Sequence, residues 1–333
     1  MNIIIPMAGM GKRLRPHTLT IPKPLVPVAG KPIVQHLVED IAKLLDEPLG
    51  KVVFVTGNLD KKTESNLLEL AESLGAEGEI AYQKEALGTA HAVWCAKSAL
   101  EGKTIIAFAD TLFDANFKID PNADGVIWVK QIENPSSFGV IQLDEKGYIN
   151  DYVEKPETFV SDLAMIGIYY FKKGEELAKE IQYLIDNDVI KGGEYQLPDA
   201  FRRMTEKGAQ FVPGEVNKWM DCGNPEVTIQ TNVEVLKLKY PESLVSPEAD
   251  ISNSVIINPC FIGPGAKIIN SVVGPGVTIG SDSTVEDSRM KNAILQNKST
   301  LQNAVVQDSM IGSHVEARFE PKKLNLGDYN TIE

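Results

Sequence analysis

The sequence has few cysteines, no long hydrophobic run and a shortage of basic residues, and each of these limits what the protein can be. Cys95, Cys222 and Cys260 stand singly, without a Cys-x-x-Cys pair. This pattern argues against a disulfide framework and a zinc site, and it indicates reduced thiols in a cytoplasmic protein. No apolar run approaches the roughly 18 residues of a membrane-spanning helix, so no membrane partner is expected. The formal net charge of −13 argues against a nucleic-acid partner, because phosphate backbones favour basic surfaces.

The basic residues that are present are concentrated at the start of the chain. The first 38 residues contain five lysines and arginines and no carboxylate, and Glu39 is the first acidic residue. An acidic protein with one basic, acid-free segment offers a local site for a polyanion. The opening stretch 1–6 has no basic region and no small-residue cleavage site. It therefore predicts the first strand of a fold and not a signal peptide.

Through the first 240 residues, hydrophobic runs typical of strands alternate with helical periodicity. Strands are predicted at 2–5, 52–56, 79–83 and 104–109. Helices are predicted at 31–45, 61–74, 89–100, about 173–187 and about 224–239. Between them, residues 125–171 are richer in strands. The alternation predicts an α/β domain around a mostly parallel sheet, with ligands at the carboxyl ends of its strands.

After about residue 248 the helical periodicity disappears and a short repeat replaces it. Ile251, Ile268 and Val285 each open a four-residue unit that ends in serine, and they recur at a spacing of 17. Hexapeptide-like units, such as the one that starts at Ile262, lie between them. A fixed period of this kind indicates a solenoid, here a β-helix over 248–333 with about three hexapeptides in each coil. A β-sandwich is the ordinary alternative, but it does not explain the period.

A glycine-containing loop follows the first predicted strand, inside the basic segment. It runs Pro6-Met-Ala-Gly-Met-Gly-Lys-Arg-Leu-Arg-Pro16, and Ile21-Pro-Lys-Pro-Leu25 comes after it. The backbone N–H groups of such a loop can approach and bind phosphates. The dinucleotide-binding fingerprint is excluded, because Leu14 stands where its third glycine belongs. The P-loop is excluded as well, because it requires glycine at Pro6 and Ser or Thr at Arg13.

These segments resemble the signature of the sugar nucleotidylyltransferases, G-x-G-(T/S)-R-L followed by P-K-P-L. The order and spacing match, while Ala8 replaces a glycine and Lys12 stands where a small hydroxyl residue is usual. The resemblance continues through nearly the whole chain. It implies a Rossmann-like, nucleotide-diphospho-sugar transferase domain over 1–240, a left-handed parallel β-helix over 248–333, and a homo-oligomer.

The resemblance also implies the residues of an active site. The nucleotide-binding positions would be Ala8, Gly9, Gly11, Gln83, Gly88 and Thr89. The positions that bind the sugar phosphate would be Gly139, Glu154, Lys155, Gly167 and Glu194. The aspartates that hold the cofactor Mg²⁺ would be Asp110 and Asp221, and the catalytic cations Arg13 and Lys23.

The reaction that the resemblance implies joins a nucleoside triphosphate to a sugar 1-phosphate and releases pyrophosphate. Two anions must meet, so the site has to neutralise the charge of the transition state. Lys23 suits the reacting phosphates as a point charge, and Arg13 suits the departing pyrophosphate with its planar donors. Two aspartates suit Mg²⁺, which binds carboxylates together with phosphate oxygens and water. The substrate phosphate is already ionised, so no nucleophile from the protein is required.

Glucose 1-phosphate with dTTP or UTP is the leading substrate pair. In the family, the segment that begins at Gln83 reads a pyrimidine, and its Leu-Gly-Thr-Ala-His form resembles uridylyltransferases more than thymidylyltransferases. Met165 stands where N-acetylglucosamine uridylyltransferases carry asparagine, which argues against an acetamido sugar. N-acetylglucosamine-1-phosphate uridylyltransferase and mannose-1-phosphate guanylyltransferase remain alternatives. Thymine and uracil differ by one methyl group, worth about 1 kcal/mol or somewhat more, so the base stays open.

Other classes and roles are also compatible with the sequence. The chain could be a non-catalytic regulatory subunit, although such subunits tend to lose the cations or aspartates retained here. The β-helix could transfer an acetyl group, but His314 is the one base it offers; assembly or regulation is the favoured role. Glu194 could instead compensate the charge of a helix N-terminus. The position of His91 inside an apolar helix indicates packing or a supporting role and not catalysis.

Overall fold

The computed structural model describes residues 1–9, 11–116, 119–120 and 122–331, which divide into two compact units. The first unit comprises Met1–Val26 and Lys31–Asn224, and the second comprises Pro27–Gly30 and Pro225–Glu333. The helix that begins at Pro225 therefore groups with the β-helix, against whose strands it packs. The boundary expected from the sequence lies later, after residue 240.

The elements of the α/β part are as follows. The strands up to Asp221 are β1 (Asn2–Pro6), β2 (Pro27–Val28), β3 (Lys31–Pro32), β4 (Lys51–Thr56), β5 (Glu77–Tyr82), β6 (Thr104–Ala107), β7 (Thr111–Asp114), β8 (Gly125–Gln131), β9 (Gly139–Leu143), β10 (Ile149–Glu154), β11 (Leu163–Phe171), β12 (Phe211–Glu215) and β13 (Lys218–Asp221). The helices are α1 (Ile33–Leu44), α2 (Lys61–Ser73), α3 (Thr89–Cys95), α4 (Gly174–Asp186), α5 (Leu197–Glu206) and α6 (Pro225–Lys239). None of the helices in the described part of the chain has the length and hydropathy to cross a lipid bilayer.

A large sheet forms the centre of the first unit, in the order β10-β9-β11-β6-β1-β4-β5, with β8 paired to β11 and β12. Strands β6, β1, β4 and β5 are parallel, whereas β11 runs antiparallel to β6 and β8. The parallel strands carry continuous buried runs, such as Ile3–Ile5 and Val52–Val55, as strands covered on both faces require. The predicted α/β domain is confirmed, and its strand-rich stretch is the antiparallel part of the sheet.

Helix α5 and the pair of strands β7 and β13, which position the site, were not predicted. Helix α5 buries Leu197, Phe201 and Met204 among others, at a helical spacing that was present in the sequence and was overlooked. Strands β7 and β13 form an antiparallel ladder between segments that lie far apart in the chain, and no local periodicity reveals such a pairing. The helix expected over 89–100 ends earlier, at Cys95, and a short 3-10 turn follows at Lys97–Ala99.

The predicted β-helix is confirmed in the second unit. Its strands are β14 (Leu244–Val245), β15 (Asp250–Ser252), β16 (Val255–Ile256), β17 (Cys260–Ile262), β18 (Lys267–Ile269), β19 (Val272–Val273), β20 (Val277–Ile279), β21 (Thr284–Glu286), β22 (Arg289–Leu295), β23 (Thr300–Gln302), β24 (Val305–Ile311) and β25 (Glu316–Arg318). On one face, a column of aliphatic residues stacks in parallel register: Ile251, Ile268, Val285, Leu301 and Ala317. The spacing is 17 along the first three and then 16, which is why the period is clearest early in the repeat.

The corners of the coils explain the recurrent asparagine, aspartate and serine. Asn253, Asn270 and Asp287 have φ values of 45°, 50° and 48°, in the left-handed region that Asn and Asp tolerate best after glycine. The N–H of Ser271 donates to Oγ of Ser254 at 3.0 Å, one coil earlier. These side chains satisfy backbone groups that the short strands leave unpaired.

One buried asparagine ties three segments of the second unit together. Asn232, on α6, is fully buried. Its Oδ1 accepts hydrogen bonds from the Ala29 N–H at 2.9 Å and from the Thr278 hydroxyl at 2.7 Å. Its Nδ2 donates to the carbonyl of Gly276 at 3.3 Å. Segment 27–30, which follows the Lys-Pro-Leu turn in the chain, is thereby fixed to α6 and to the β-helix.

We expect Asn232→Ala to lower the free energy of unfolding by about 1–3 kcal/mol, because it leaves buried hydrogen-bonding groups without partners. The control is Lys237→Ala on the same helix. Lys237 forms an exposed ion pair with Glu234 at 2.7 Å, and its loss should change stability by no more than about 0.5 kcal/mol. Urea unfolding of both variants measures the difference. Equal effects would show that the buried asparagine is not a structural link.

Candidate active site

Three neighbouring cavities lie in the first unit, with volumes of about 450, 220 and 540 Å³. The first cavity is lined by the loop after β1, Lys23, Gln83 and the start of α3. The second cavity is lined by residues of β9, β11 and β13, and the outer cavity by Lys155 and residues around the start of α5. Arg13 and Asp110 line both the first and the second cavity. Each predicted site residue lines at least one of the three.

The loop after β1 begins at the carboxyl end of a parallel strand, the usual place for a ligand. Gly11 has φ 56°, and a Cβ there would lie 2.8 Å from Cβ of Lys23. The Thr18 hydroxyl donates to the carbonyl of Gly11 at 2.8 Å. Glycine is required at this position, because the loop must pack directly against the segment that carries Lys23. Arg13 follows in a 3-10 turn and faces the two cavities.

Lys23 and two aspartates form the charged centre of the site. Nζ of Lys23 lies 3.1 Å from Oδ2 of Asp110, and Lys23 is only 7% exposed. The β7–β13 ladder places Asp221 opposite Thr111, the residue after Asp110. The N–H of Cys222 donates to the carbonyl of Asp110 at 3.1 Å. The ladder therefore brings together two carboxylates that are far apart in the sequence.

Electrostatics at this centre favour a bound cation. Burial raises the pKa of Asp221, the Lys23 ammonium opposes this rise, and the charge of Asp110 adds to it. In the part of the chain that the structure describes, no group of three or more His, Cys, Asp or Glu side chains could hold a metal by itself. Two aspartates nevertheless fit Mg²⁺, which takes one or two carboxylates and completes its shell with phosphate oxygens and water.

On the other wall of the first cavity, Gln83 contacts the start of α3. Its Nε2 donates to the carbonyl of Gly88 at 3.0 Å. Gly88 has φ 110°, and a Cβ there would lie 2.5 Å from the carbonyl oxygen of Tyr195. The Thr89 hydroxyl accepts a hydrogen bond from the N–H of Leu197 at 3.0 Å. This predicted nucleotide-binding threonine thus also anchors the start of α5.

If this wall binds a nucleotide, as the resemblance implies, Gly88→Ala should lower kcat/KM for that nucleotide at least about tenfold and destabilise the fold. The added Cβ collides with the backbone of Tyr195, which cannot move as a flexible side chain would. Gly147→Ala is the matched control, because Gly147 has φ 84° and open space around it. It should cost about 1–2 kcal/mol of stability from backbone strain alone, with no effect on kcat/KM. A Gly88→Ala enzyme with normal kinetics would contradict the prediction that this wall of the first cavity binds the nucleotide.

The second cavity gathers most of the positions predicted to bind the sugar phosphate. Glu154 pairs with Gly139 across β10 and β9, and a Cβ on Gly139 would lie 2.8 Å from Oε2 of Glu154. Gly167, with φ 82°, occupies an irregularity in β11 between Met165 and Tyr169. Burial raises the pKa of Glu154; Lys155 opposes this rise and Glu194 adds to it.

Lys155 and Glu194, the other two positions predicted to bind the sugar phosphate, line cavities other than the second. Lys155, with φ 44°, lines the outer cavity, and its Nζ is 3.8 Å from Oε1 of Glu154. Glu194 lines both the first and the outer cavity. Helix α5 begins at Leu197 with Asp199 as the acid of its first turn, so Glu194 precedes the positions that usually compensate a helix terminus.

Sequence reasoning missed several residues that line the cavities. Phe108 lies between the first and second cavities and packs edge-on against Tyr169, with ring centroids 6.3 Å apart. Its position just before the predicted aspartate was the available signal. Gln196 and Pro198 line the second and outer cavities, and they were missed because α5 was missed.

Comparison with known proteins decides the family. A family model described as nucleotidyl transferase matches residues 2–237. The chain belongs to this family. Its relatives include the bifunctional protein GlmU of Methanococcus vannielii, 30% identical over 94% of this chain and 78% of that protein. A glucose-1-phosphate thymidylyltransferase of Streptomyces griseus is 27% identical over 100% of this chain and 99% of that protein. A mannose-1-phosphate guanylyltransferase catalytic subunit beta of Drosophila melanogaster is 30% identical over 79% of this chain and 71% of that protein.

Solved structures show the same fold. A nucleoside-diphosphate-sugar pyrophosphorylase of Vibrio cholerae superimposes with a TM-score of 0.60 and 22% identity, covering 69% of this chain and 99% of that one. A UDP-glucose pyrophosphorylase in complex with UDP-glucose superimposes with a TM-score of 0.57 and 24% identity, covering 72% of this chain and 99% of that one. With the family match, the protein is a nucleotidyltransferase that acts on a sugar 1-phosphate, as the resemblance in its loop predicted.

Proposed function

We propose that the enzyme transfers the nucleotidyl group of dTTP or UTP to glucose 1-phosphate and releases pyrophosphate. The observation that carries this proposal is the arrangement of the first and second cavities. Arg13 and Asp110 line both cavities, and Lys23 donates a hydrogen bond to Asp110. Two substrates bound in the two cavities would bring their phosphates together at these charges.

In the proposed reaction, a phosphate oxygen of glucose 1-phosphate attacks the α-phosphorus of the triphosphate. A bond forms between this oxygen and the α-phosphorus, while the bond from the α-phosphorus to the bridging oxygen of pyrophosphate breaks. Lys23 is held in place by Asp110 and stabilises charge on the reacting phosphate. Arg13 contacts the departing pyrophosphate, for which its planar donors suit two oxygens at once. Fixed charges of this kind lower the barrier because they need no reorganisation during the reaction.

Asp110 and Asp221 are the proposed ligands of Mg²⁺. When bound, the ion would neutralise phosphate charge and orient the triphosphate. The N–H of Gly223 donates to the carboxylate of Asp221, and a Cβ on Gly223 would lie 2.7 Å from its Oδ2. The backbone therefore holds Asp221 in its orientation toward the second cavity.

The second cavity supports glucose as the sugar. The Glu154 carboxylate lies on its wall and can accept hydrogen bonds from sugar hydroxyls. Met165 is buried there and presents a methyl group toward Gly139, where an acetamido group would need a hydrogen-bonding partner. Lys155 lines the outer cavity, with its Nζ 3.8 Å from the carboxylate of Glu154, and in this proposal it offsets the charge of the sugar phosphate.

The alternatives keep specific support. The relative named mannose-1-phosphate guanylyltransferase keeps mannose 1-phosphate with GTP as a second candidate, and N-acetylglucosamine 1-phosphate with UTP stays the alternative that the sequence resemblance left open. A regulatory subunit is disfavoured, because both cations and both aspartates lie around the same pair of cavities. His314, the base on which acetyl transfer by the β-helix would depend, stands at a coil corner with φ 60°. A homo-oligomer stays a prediction from the resemblance.

The test is pyrophosphate release from a matrix of dTTP, UTP, GTP, CTP and ATP against glucose, N-acetylglucosamine and mannose 1-phosphates, with Mg²⁺ and with EDTA. We expect activity with metal only, highest for glucose 1-phosphate with dTTP or UTP. Highest activity for another pair would replace the proposed substrates. Silence of a folded protein across the matrix would favour the regulatory subunit.

A further inference from the structure

The amide of Gln83 has only one chemically acceptable orientation. It contacts the carbonyl oxygen of Gly88 at 3.0 Å, and a carbonyl oxygen only accepts hydrogen bonds. The group that faces it must be the amide nitrogen. The same nitrogen lies 3.2 Å from Nδ1 of His91. The amide oxygen, Oε1, therefore points away from both partners.

This orientation determines the protonation of His91. An amide NH₂ only donates, so Nδ1 of His91 must accept and carries no proton. The imidazole is then neutral, with its proton on Nε2. Burial lowers the pKa of His91 from its ordinary value of 6.5, with an opposing effect of the Glu85 carboxylate. A neutral ring at pH 7 agrees with the geometry.

We infer that His91 is a positioning residue: together with the Gly88 carbonyl it holds the Gln83 amide in the orientation that selects bases with a ring N–H beside a carbonyl. In the part of the chain that the structure describes, Oε1 of Gln83 accepts no hydrogen bond and the N–H of Gly88 donates none. Both residues line the first cavity. The pair thus offers one acceptor and one donor to a base.

Uracil and thymine present the complement, an N3–H donor beside a carbonyl acceptor, and guanine presents the same pattern on its N1–H and O6 edge. Cytosine presents an N3 acceptor, which would face Oε1 of Gln83 and repel it. Without His91, the Gly88 carbonyl alone holds the amide nitrogen, so turning that nitrogen toward a base costs one hydrogen bond fewer and cytosine is tolerated better. This inference rests on the proposed function, since it names the base class for the same nucleotide site.

The kinetic test compares kcat/KM for UTP and CTP with glucose 1-phosphate. We expect wild type to prefer UTP by at least about 10³-fold, because a mismatched buried hydrogen-bonding pair is strongly rejected. His91→Leu removes the acceptor and should lower this preference at least about tenfold. His91→Asn places Oδ1 near the former Nδ1 and should restore most of it. An unchanged preference in a folded His91→Leu enzyme would overturn the inference.

A second measurement needs no variant. The ¹⁵N shifts of the His91 ring in the wild-type protein at pH 7 should show an unprotonated Nδ1 and a protonated Nε2. A proton on Nδ1 would overturn the inference even if His91→Leu failed to fold. Failure of the proposed function looks different, because wild type would then use neither UTP nor dTTP. An enzyme active with UTP but indifferent to His91 refutes the inference alone.

Discussion

Replacing Lys23 by methionine should lower kcat by about 10³-fold while leaving the enzyme folded. The ammonium group lies in a buried position 3.1 Å from Asp110, and it also opposes the raised pKa of Asp221. Methionine keeps the packing of the aliphatic stem and removes only the charge. The two carboxylates would then face the anionic substrates with one positive charge fewer beside them. Steady-state rates of pyrophosphate release, with thermal melting to check the fold, measure the effect.

Lys31→Met is the matched control for this variant. Lys31 is also an ion-paired lysine in the basic segment, with Nζ 2.8 Å from Glu39, but it lines none of the three cavities. We expect its kcat to stay within about twofold of wild type, because a partly exposed ion pair contributes little. Equal losses in the two variants would mean that general loss of positive charge, and not the position of Lys23, explains the effect.

Replacing Asp221 by asparagine should lower kcat at least about 10²-fold and raise the Mg²⁺ concentration needed for half-maximal rate. The asparagine keeps the shape of the side chain and the β7–β13 ladder but removes the charge of one of the two proposed Mg²⁺ ligands. The metal-free variant should melt at the same temperature as wild type or higher. The reason is that burial and Asp110 already disfavour the charged form of Asp221.

The same ladder supplies the control for Asp221. Asp114 lies at its other end, opposite Lys218, and accepts a hydrogen bond from the amide of Asn217 at 3.2 Å. We expect Asp114→Asn to leave both kcat and the Mg²⁺ dependence unchanged. If Asp221→Asn kept normal activity and normal Mg²⁺ dependence, Asp221 would not be a metal ligand, and the proposed site would reduce to Asp110 alone.

Much of the fold was predictable because its signals are local. Strand β1 was visible as a short aliphatic run, and α1 as an apolar stripe that follows Pro32. The β-helix was visible because each coil repeats the same inward aliphatic position, as Ile251 and Ile268 do in register. Such patterns depend on neighbours within a few residues or on one fixed period. The family resemblance of the loop after β1 rested on the same kind of local evidence.

The pairing of the aspartates was not predictable in this way. Asp110 and Asp221 were named from separate motifs, and the sequence did not show that one ladder brings them together. Helix α6 shows a related limit. It carries a helical signal that was predicted, but its grouping with the second unit follows from the buried hydrogen bonds of Asn232.

By itself, the sequence determined the class of fold, the repeat, the family and the chemical types at the site, because these depend on residue identity and short spacing. Tertiary structure alone decided which of these residues meet. Lys23 reaches Asp110 across 87 positions of the chain, and Asp221 lies beside Asp110 only because β13 pairs with β7. Contacts of this kind depend on strand order and on the packing of loops. Neither can be read from a local sequence pattern, so the side-chain orientations proposed to select a base and to hold a cation are seen only in the folded protein.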